Sequence, residues 1–126
     1  MHLPTITVDT IPHKKQRYPT VGDYYKSHGK LHIKISKTNS NHEFLVLIHE
    51  LIEWYLTSQK GVKIQDIDSF DISFENQREP GNTEEPGDNP NAPYYQEHQF
   101  ATKIEREVAE YLGVDWDKYE EHVINL

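Results

Sequence analysis

The apolar run from Phe44 to Leu56 is interrupted by only three ionisable side chains, His49, Glu50 and Glu53. At about 100° per residue, His49 and Glu53 fall one turn apart on one helix face. Glu50 sits beside them, and His42, Val46 and Thr57 share that side. Phe44, Leu45, Leu47, Ile48, Leu51, Ile52, Trp54, Tyr55 and Leu56 cover the rest, so the helix is buried round most of its circumference. Three ionisable groups on such a helix need charge partners, a cavity or a metal, because unpaired buried charge is costly. Ser40 followed by Glu43 reads as a capping box and Gly61 as a stop, which places the helix over 41–59.

The N-terminal segment 1–37 has the opposite period. Residues 5–11 alternate apolar and polar positions and end at Pro12, which predicts a strand. A weaker strand over 21–26, turn residues at 27–30 and clean alternation over 31–36 read as a hairpin. The expectation is a small antiparallel sheet of two or three strands. Downstream, Ile67, Phe70 and Phe74 form an apolar stripe that predicts a helix over 63–77. Proline and glycine then crowd the chain, and 78–93 is expected as a loop with a mobile tip, either a functional lid or disordered. A second strong helix is predicted over 95–112. Phe100, Ile104, Val108 and Tyr111 make its apolar stripe, and His98, Thr102, Glu105 and Ala109 line the adjoining face. Gly113 ends it, and a terminal helix over 115–123 caps the core with Trp116, Tyr119 and Val123. The whole, residues 1–126, reads as one α+β domain: a small N-terminal antiparallel sheet packed on two long core helices plus shorter helices. A hairpin followed by a helix bearing His-Glu is the layout of minimal zincins, an analogy at the level of fold.

Composition narrows the partners. Thirteen basic residues against twenty-one acidic give a net charge of −8, the wrong sign for a phosphate backbone, so no nucleic-acid partner is expected. The small basic patch of His13, Lys14, Lys15 and Arg17 reads as a solvated turn. Without cysteine, disulfides and thiolate sites are excluded, and any metal must take His, Asp and Glu. The start Met1-His2-Leu3-Pro4 lacks the regions of a signal peptide, and no apolar run approaches about 18 residues, so no membrane association and a cytoplasmic location are expected.

The pattern His-Glu-x-x-His on a helix presents two imidazoles to zinc and a glutamate to bound water. Here the fifth position is Glu53, and a carboxylate is also an acceptable zinc ligand. The same five residues also fit a solvated polar edge of an amphipathic helix. His98, on the second helix beside the seam that should pack against the first, is the choice for a third ligand. Glu105 or Asp71 is a fourth ligand or a partner that orients an imidazole. Asp68, three residues before Asp71, reads with it as an ordinary surface acid at least as well. Glu50 is then the general base, and loop 78–93, which leads into His98, is placed to close over the site.

His49-Glu50-Leu51-Ile52-Glu53, Phe70-Asp71 after Asp68, Glu85-Pro86-Gly87-Asp88, Ala92-Pro93-Tyr94 leading to His98, Ala101 with Glu105, and Gly113-Val114-Asp115-Trp116 together resemble a family of small uncharacterised proteins from bacteriophage and prophage genomes. The resemblance covers roughly residues 30–120 and implies a phage-type origin, with the host cytoplasm as the place of action. The chain is also distantly similar to zincin metallopeptidases, departing from them at Glu53. Zinc binding with a hydrolase-like site acting on a peptide or small molecule is therefore the leading expectation. A second is a magnesium-dependent nucleotide phosphohydrolase using Glu50-x-x-Glu53 and Glu107-x-x-Glu110. A third is a non-enzymatic protein that binds or inhibits a host protein, with His49, Glu50 and Glu53 as a structural polar cluster.

Overall fold

A computed structural model describes residues 2–126 and gives an α+β architecture. Three strands, β1 (Ile6–Ile11), β2 (Gly22–Ser27) and β3 (Lys30–Ser36), form a sheet in the order β1-β3-β2. The β2–β3 hairpin is antiparallel, and its two turn residues, His28 (φ 55°) and Gly29 (φ 74°), both take the left-handed backbone that a tight two-residue hairpin needs. β1 departs from the expected antiparallel pattern: it runs parallel to β3, with Ile6 opposite Leu31 and Ile11 opposite Ser36. Alternation decides which face of a strand is buried and leaves its neighbour and direction open. The direction is set by the link 12–21, which carries the chain across β3 before β2 begins. His13 fixes this link through Ser36 Oγ (2.8 Å), and Gln16 donates to the Lys34 carbonyl (3.2 Å).

The basic patch does more than solvate a turn. Arg17 grips Asp23 of β2 with two nitrogens (2.7 and 2.9 Å) and reaches Asp68 (3.1 and 3.2 Å). Asp68 lies on α2 (Ile64–Asn76), so one guanidinium ties link, sheet and helix. Asp23 is only 3% exposed, and a paired arginine is what lets a carboxylate sit there.

The core lies between the sheet and α1 (Ser40–Gln59). Leu31, Ile33 and Ile35 of β3 are almost wholly buried, together with Tyr24, Leu45, Val46, Trp54 and Ile67. α1 starts close to the expected place but with a shifted cap. Asn39, not Ser40, accepts from the His42 N–H (3.0 Å), and Glu43 reaches back to the Thr38 N–H (2.8 Å).

α3 (Tyr95–Leu112) ends at Gly113 (φ 71°), and α4 (Trp116–Ile124) starts under an Asp115 cap and buries Tyr119. The apolar stripe expected to face the core on α3 does not do so throughout. Phe100 is 47% exposed and Tyr111 91%. The buried face is instead Glu97, His98, Ala101, Glu105 and Ala109. Ala101 and Ala109, both essentially inaccessible, let α3 approach α1 closely, and the polar side chains in that seam satisfy one another. Segment 78–93 is not without regular structure: Pro86–Asp88 form a 3-10 turn, and Gly87 and Ala92 are buried, as is Tyr94 just beyond it. Among the described residues, no helix is long and apolar enough to cross a membrane.

Candidate metal centre

His49 and Glu53 leave α1 one turn apart and meet His98 from the first turn of α3. His49 Nε2 lies 3.0 Å from Glu53 Oε2 and 3.1 Å from His98 Nδ1, and His98 Nδ1 lies 2.9 Å from the same Glu53 oxygen. Three ligand-type atoms therefore form a near-equilateral triangle between two helices. All three residues are buried, at 7, 5 and 5% exposure for His49, Glu53 and His98.

The outer atoms of the same side chains decide which way the inner lone pairs point. His49 Nδ1 is 2.8 Å from Glu105 Oε1, and Tyr119 donates to the other Glu105 oxygen (2.6 Å). A carboxylate accepts, so Nδ1 carries the hydrogen, and neutral His49 turns a bare Nε2 inward. Tyr24 donates to Glu53 Oε1 (2.9 Å), which leaves Oε2 for the triangle. His98 Nε2 has Glu85 Oε2 at 3.0 Å and Asp88 Oδ1 at 3.3 Å. These are charge contacts rather than well-directed hydrogen bonds, since Nε2 is buried without a hydrogen-bond partner of good geometry.

Two imidazole nitrogens 3.1 Å apart can share at most one proton. With both rings neutral and protonated on their outer nitrogens, three electron pairs converge on one point. A tetrahedral zinc site with bonds of about 2.0–2.1 Å has ligand edges of about 3.3 Å, close to the separations here. These buried His and Glu groups could hold a metal ion, and their donors fit one. The second set able to do so, Glu85, Asp88 and His98, uses the opposite nitrogen of the same ring and two carboxylates that are about half exposed.

As protein groups alone, these residues shift one another's proton affinity, while the two facing imidazole nitrogens still share a single proton. Burial pushes His49 down, but hydrogen bonds to Glu105 and Glu53 outweigh it and raise its pKa well above the usual value. Burial opposes charge on His98 too, yet Asp88, Glu53 and Glu85 bring it up to about 12. Burial raises Glu53, and the two imidazoles outweigh it to bring it to about 2. The carboxylates that hold these protons would also attract a divalent cation, which must displace a proton to bind.

Glu50 lies on the neighbouring face, on a cleft of about 510 Å³ lined also by His49, Glu53, His98, Asp71 and Trp116. Burial, then the charge of Glu53, raises its carboxyl well above the ordinary range. β2 comes against it at Gly22, where a Cβ would stand 2.7 Å from Glu50 Oε1 and from Val46 Cγ1. Asp71 is on the cleft wall but apart from the triangle. It accepts from Tyr18 (3.1 Å) and from Tyr94, and burial brings its pKa up to about 7.

The structure thus brings His49, Glu53, His98 and Glu105 together with Glu50 alongside. Glu105 orients an imidazole, and Asp71 belongs to a separate tyrosine-bonded group. Glu107 and Glu110 are both exposed. Four contributors escaped the sequence reading: Tyr24, Tyr119, Glu85 and Asp88. Tyr119 read as a cap on the core, Tyr24 as part of a weak strand and the acids as part of the loop, and only the three-dimensional pairing marks them. Compared with protein-family models, curated proteins and solved structures, the chain matches none of them.

Proposed function

We propose that the protein is a small zinc-dependent hydrolase, with His49, Glu53 and His98 as metal ligands and Glu50 as the general base. The observation that carries this reading is the buried triangle of His49 Nε2, Glu53 Oε2 and His98 Nδ1 at 2.9–3.1 Å, with Glu105 on the outer nitrogen of His49 and Glu85 and Asp88 beside that of His98. An imidazole–carboxylate set without thiolate suits zinc. Magnesium favours oxygen ligands and retained water, and the carboxylate pair required for the magnesium reading, Glu107 and Glu110, stands exposed on α3.

A zinc ion bound there would supply Lewis acidity to a carbonyl or phosphoryl oxygen and lower the pKa of water. The protein's own groups supply the rest. Glu50, whose proton affinity burial and the charge of Glu53 raise above that of an ordinary carboxylate, would accept a proton at its carboxylate and return it to a leaving group. Glu105, itself held by Tyr119, keeps the His49 ring oriented. By analogy with minimal zincins, a hairpin leading into a helix that bears His-Glu supports a peptide as substrate.

Elemental analysis of chelator-free protein tests the site. About one zinc per chain is expected, absent from His49→Ala, while Glu50→Gln keeps the metal and loses turnover on peptide or phosphoester libraries. Native protein that takes up no transition metal even after soaking would remove the proposal. The polar cluster would then be structural, as in a binding protein.

A further inference from the structure

Segment 85–88 is built against His98 more closely than a connecting loop requires. Gly87 is buried flat on the imidazole, where a Cβ would overlap ring atoms Cγ and Nδ1. The flanking acids reach the far side of the ring: Glu85 Oε2 and Asp88 Oδ1 lie 3.0 and 3.3 Å from His98 Nε2. Asp88 is also held by Gln99 of α3, whose amide donates to Oδ1 (2.9 Å), and the backbone closes the turn through Asp88 N–H to the Glu85 carbonyl (3.0 Å). His98 Nε2 is fully enclosed yet lacks a well-aligned acceptor, so the loop carboxylates are the groups placed to take its hydrogen.

We infer that Glu85 and Asp88 are positioning residues for the His98 ligand and that Gly87 seats them, making 85–88 a strap that sets how tightly the site holds its metal. This rests on the metal site proposed above. A cation on Nδ1 makes Nε2–H a stronger donor, and a carboxylate on Nε2–H makes Nδ1 a better ligand, so metal and strap reinforce each other. Glu105 and Tyr119 secure His49 with side chains on helices. His98 depends instead on a turn that follows the exposed stretch 79–84, and that turn is the part of the site able to loosen without unfolding the core.

The test uses cobalt(II) as the metal probe on the full chain, with a competing chelator for affinity and visible absorption for ligand geometry. Glu85→Gln with Asp88→Asn, and separately Gly87→Ala, should bind one ion about 10–100-fold more weakly with a changed spectrum. The changed cobalt spectrum of the double variant is the readout that a merely structural role would not move, whereas Gly87→Ala, whose Cβ would meet the His98 ring, should also lower the melting temperature of the stripped protein. Glu84→Gln should behave as native. One native-bound ion with the same affinity and spectrum in the double variant would overturn the strap and leave the metal site standing. Two native-bound ions, one lost in the double variant, would overturn it in favour of a second cation on Glu85 and Asp88. No ion in the native protein would remove the site and strap together.

Discussion

α1 packs on two surfaces of opposite chemistry. Leu45, Val46 and Trp54 of α1 join Leu31, Ile33 and Ile35 of the sheet in one core made by apolar burial. Toward α3 the helix offers His49 and Glu53 to His98 and Glu105, an interface of charge and hydrogen bonds between two close-fitting alanines. The first needs nothing beyond the chain. The second gathers donor atoms whose proton count is unresolved until a proton or a cation enters. Stability should therefore divide along the same line, with the sheet side indifferent to metal and the α3 side responsive to it.

His49→Ala breaks the comparison hardest. It removes a proposed ligand and takes one of the partners of buried Glu53 and Glu105, leaving Glu53 to Tyr24 and His98 and Glu105 to Tyr119, at a cost of up to about 3–5 kcal/mol. The expected result is no stoichiometric zinc and a lower thermal midpoint that added zinc does not restore. Restoration by zinc would mean that the metal sits elsewhere.

Ile33→Ala addresses the other surface. Ile33 is at 0% exposure in the central strand, and such a truncation costs about 2–5 kcal/mol. The loss in denaturant unfolding should be the same for stripped and zinc-loaded protein, within about 0.5 kcal/mol, since distant sites add. A loss that depends on metal would mean that the two faces are one cooperative unit.

The two surfaces were also unequally legible. The sheet side followed from alternation and from the apolar density of α1, because burial of apolar area is a local property of sequence. Only the partner of β1 escaped, since direction depends on where the link 12–21 is pinned by His13, Gln16 and Arg17. On the α3 side the residue types of the cluster were readable: His49, Glu50 and Glu53 stand out on a greasy helix, and His98 and Glu105 share a face. The orientation of that face was not. The stripe of Phe100, Ile104, Val108 and Tyr111 is the larger apolar signal, and it points to burial. The polar face wins because its groups find partners on α1 and α4 that lie 14 to 56 residues away in the chain. Tyr24 and Tyr119 were hidden for the same reason, as core residues whose hydroxyls act at long range.

Asp71 extends the polar side to pH. Burial holds its folded pKa at about 7, well above that of an ordinary aspartate. Between roughly pH 4 and 7 the folded state then holds a proton that the unfolded state has released, so stability falls as pH rises through that window. The full difference is on the order of 4 kcal/mol at about 1.4 kcal/mol per unit. Asp71→Asn should flatten this part of the pH profile of urea midpoints. An unchanged slope would place the titration on another group. Smaller again is Glu105→Gln, which keeps an acceptor for His49 Nδ1–H but removes its charge. Zinc affinity should drop about 10-fold, toward the weak end of the range for partners of a ligating histidine, while Ile33-side stability stays constant.

The smallest effect is expected where the sequence pattern is most misleading. Tyr111 at 91% and Phe100 at 47% exposure sit on the outward face of α3, yet their spacing is that of core residues. If the seam with α1 is held by the polar cluster and by Ala101 and Ala109, Tyr111→Ser should shift stability by no more than about 0.5 kcal/mol, as exposed positions do. Phe100→Ser should cost somewhat more, because half of that ring is covered. Ala101→Leu should be far worse than either, since Ala101 is fully enclosed and overpacking costs about 1–3 kcal/mol. Zinc affinity separates the cases further: the serine variants should bind as native, whereas the leucine at 101, by pushing α3 away from α1, should weaken the ion. The reverse order would mean that the apolar stripe, and not the ligand seam, holds α3 in place.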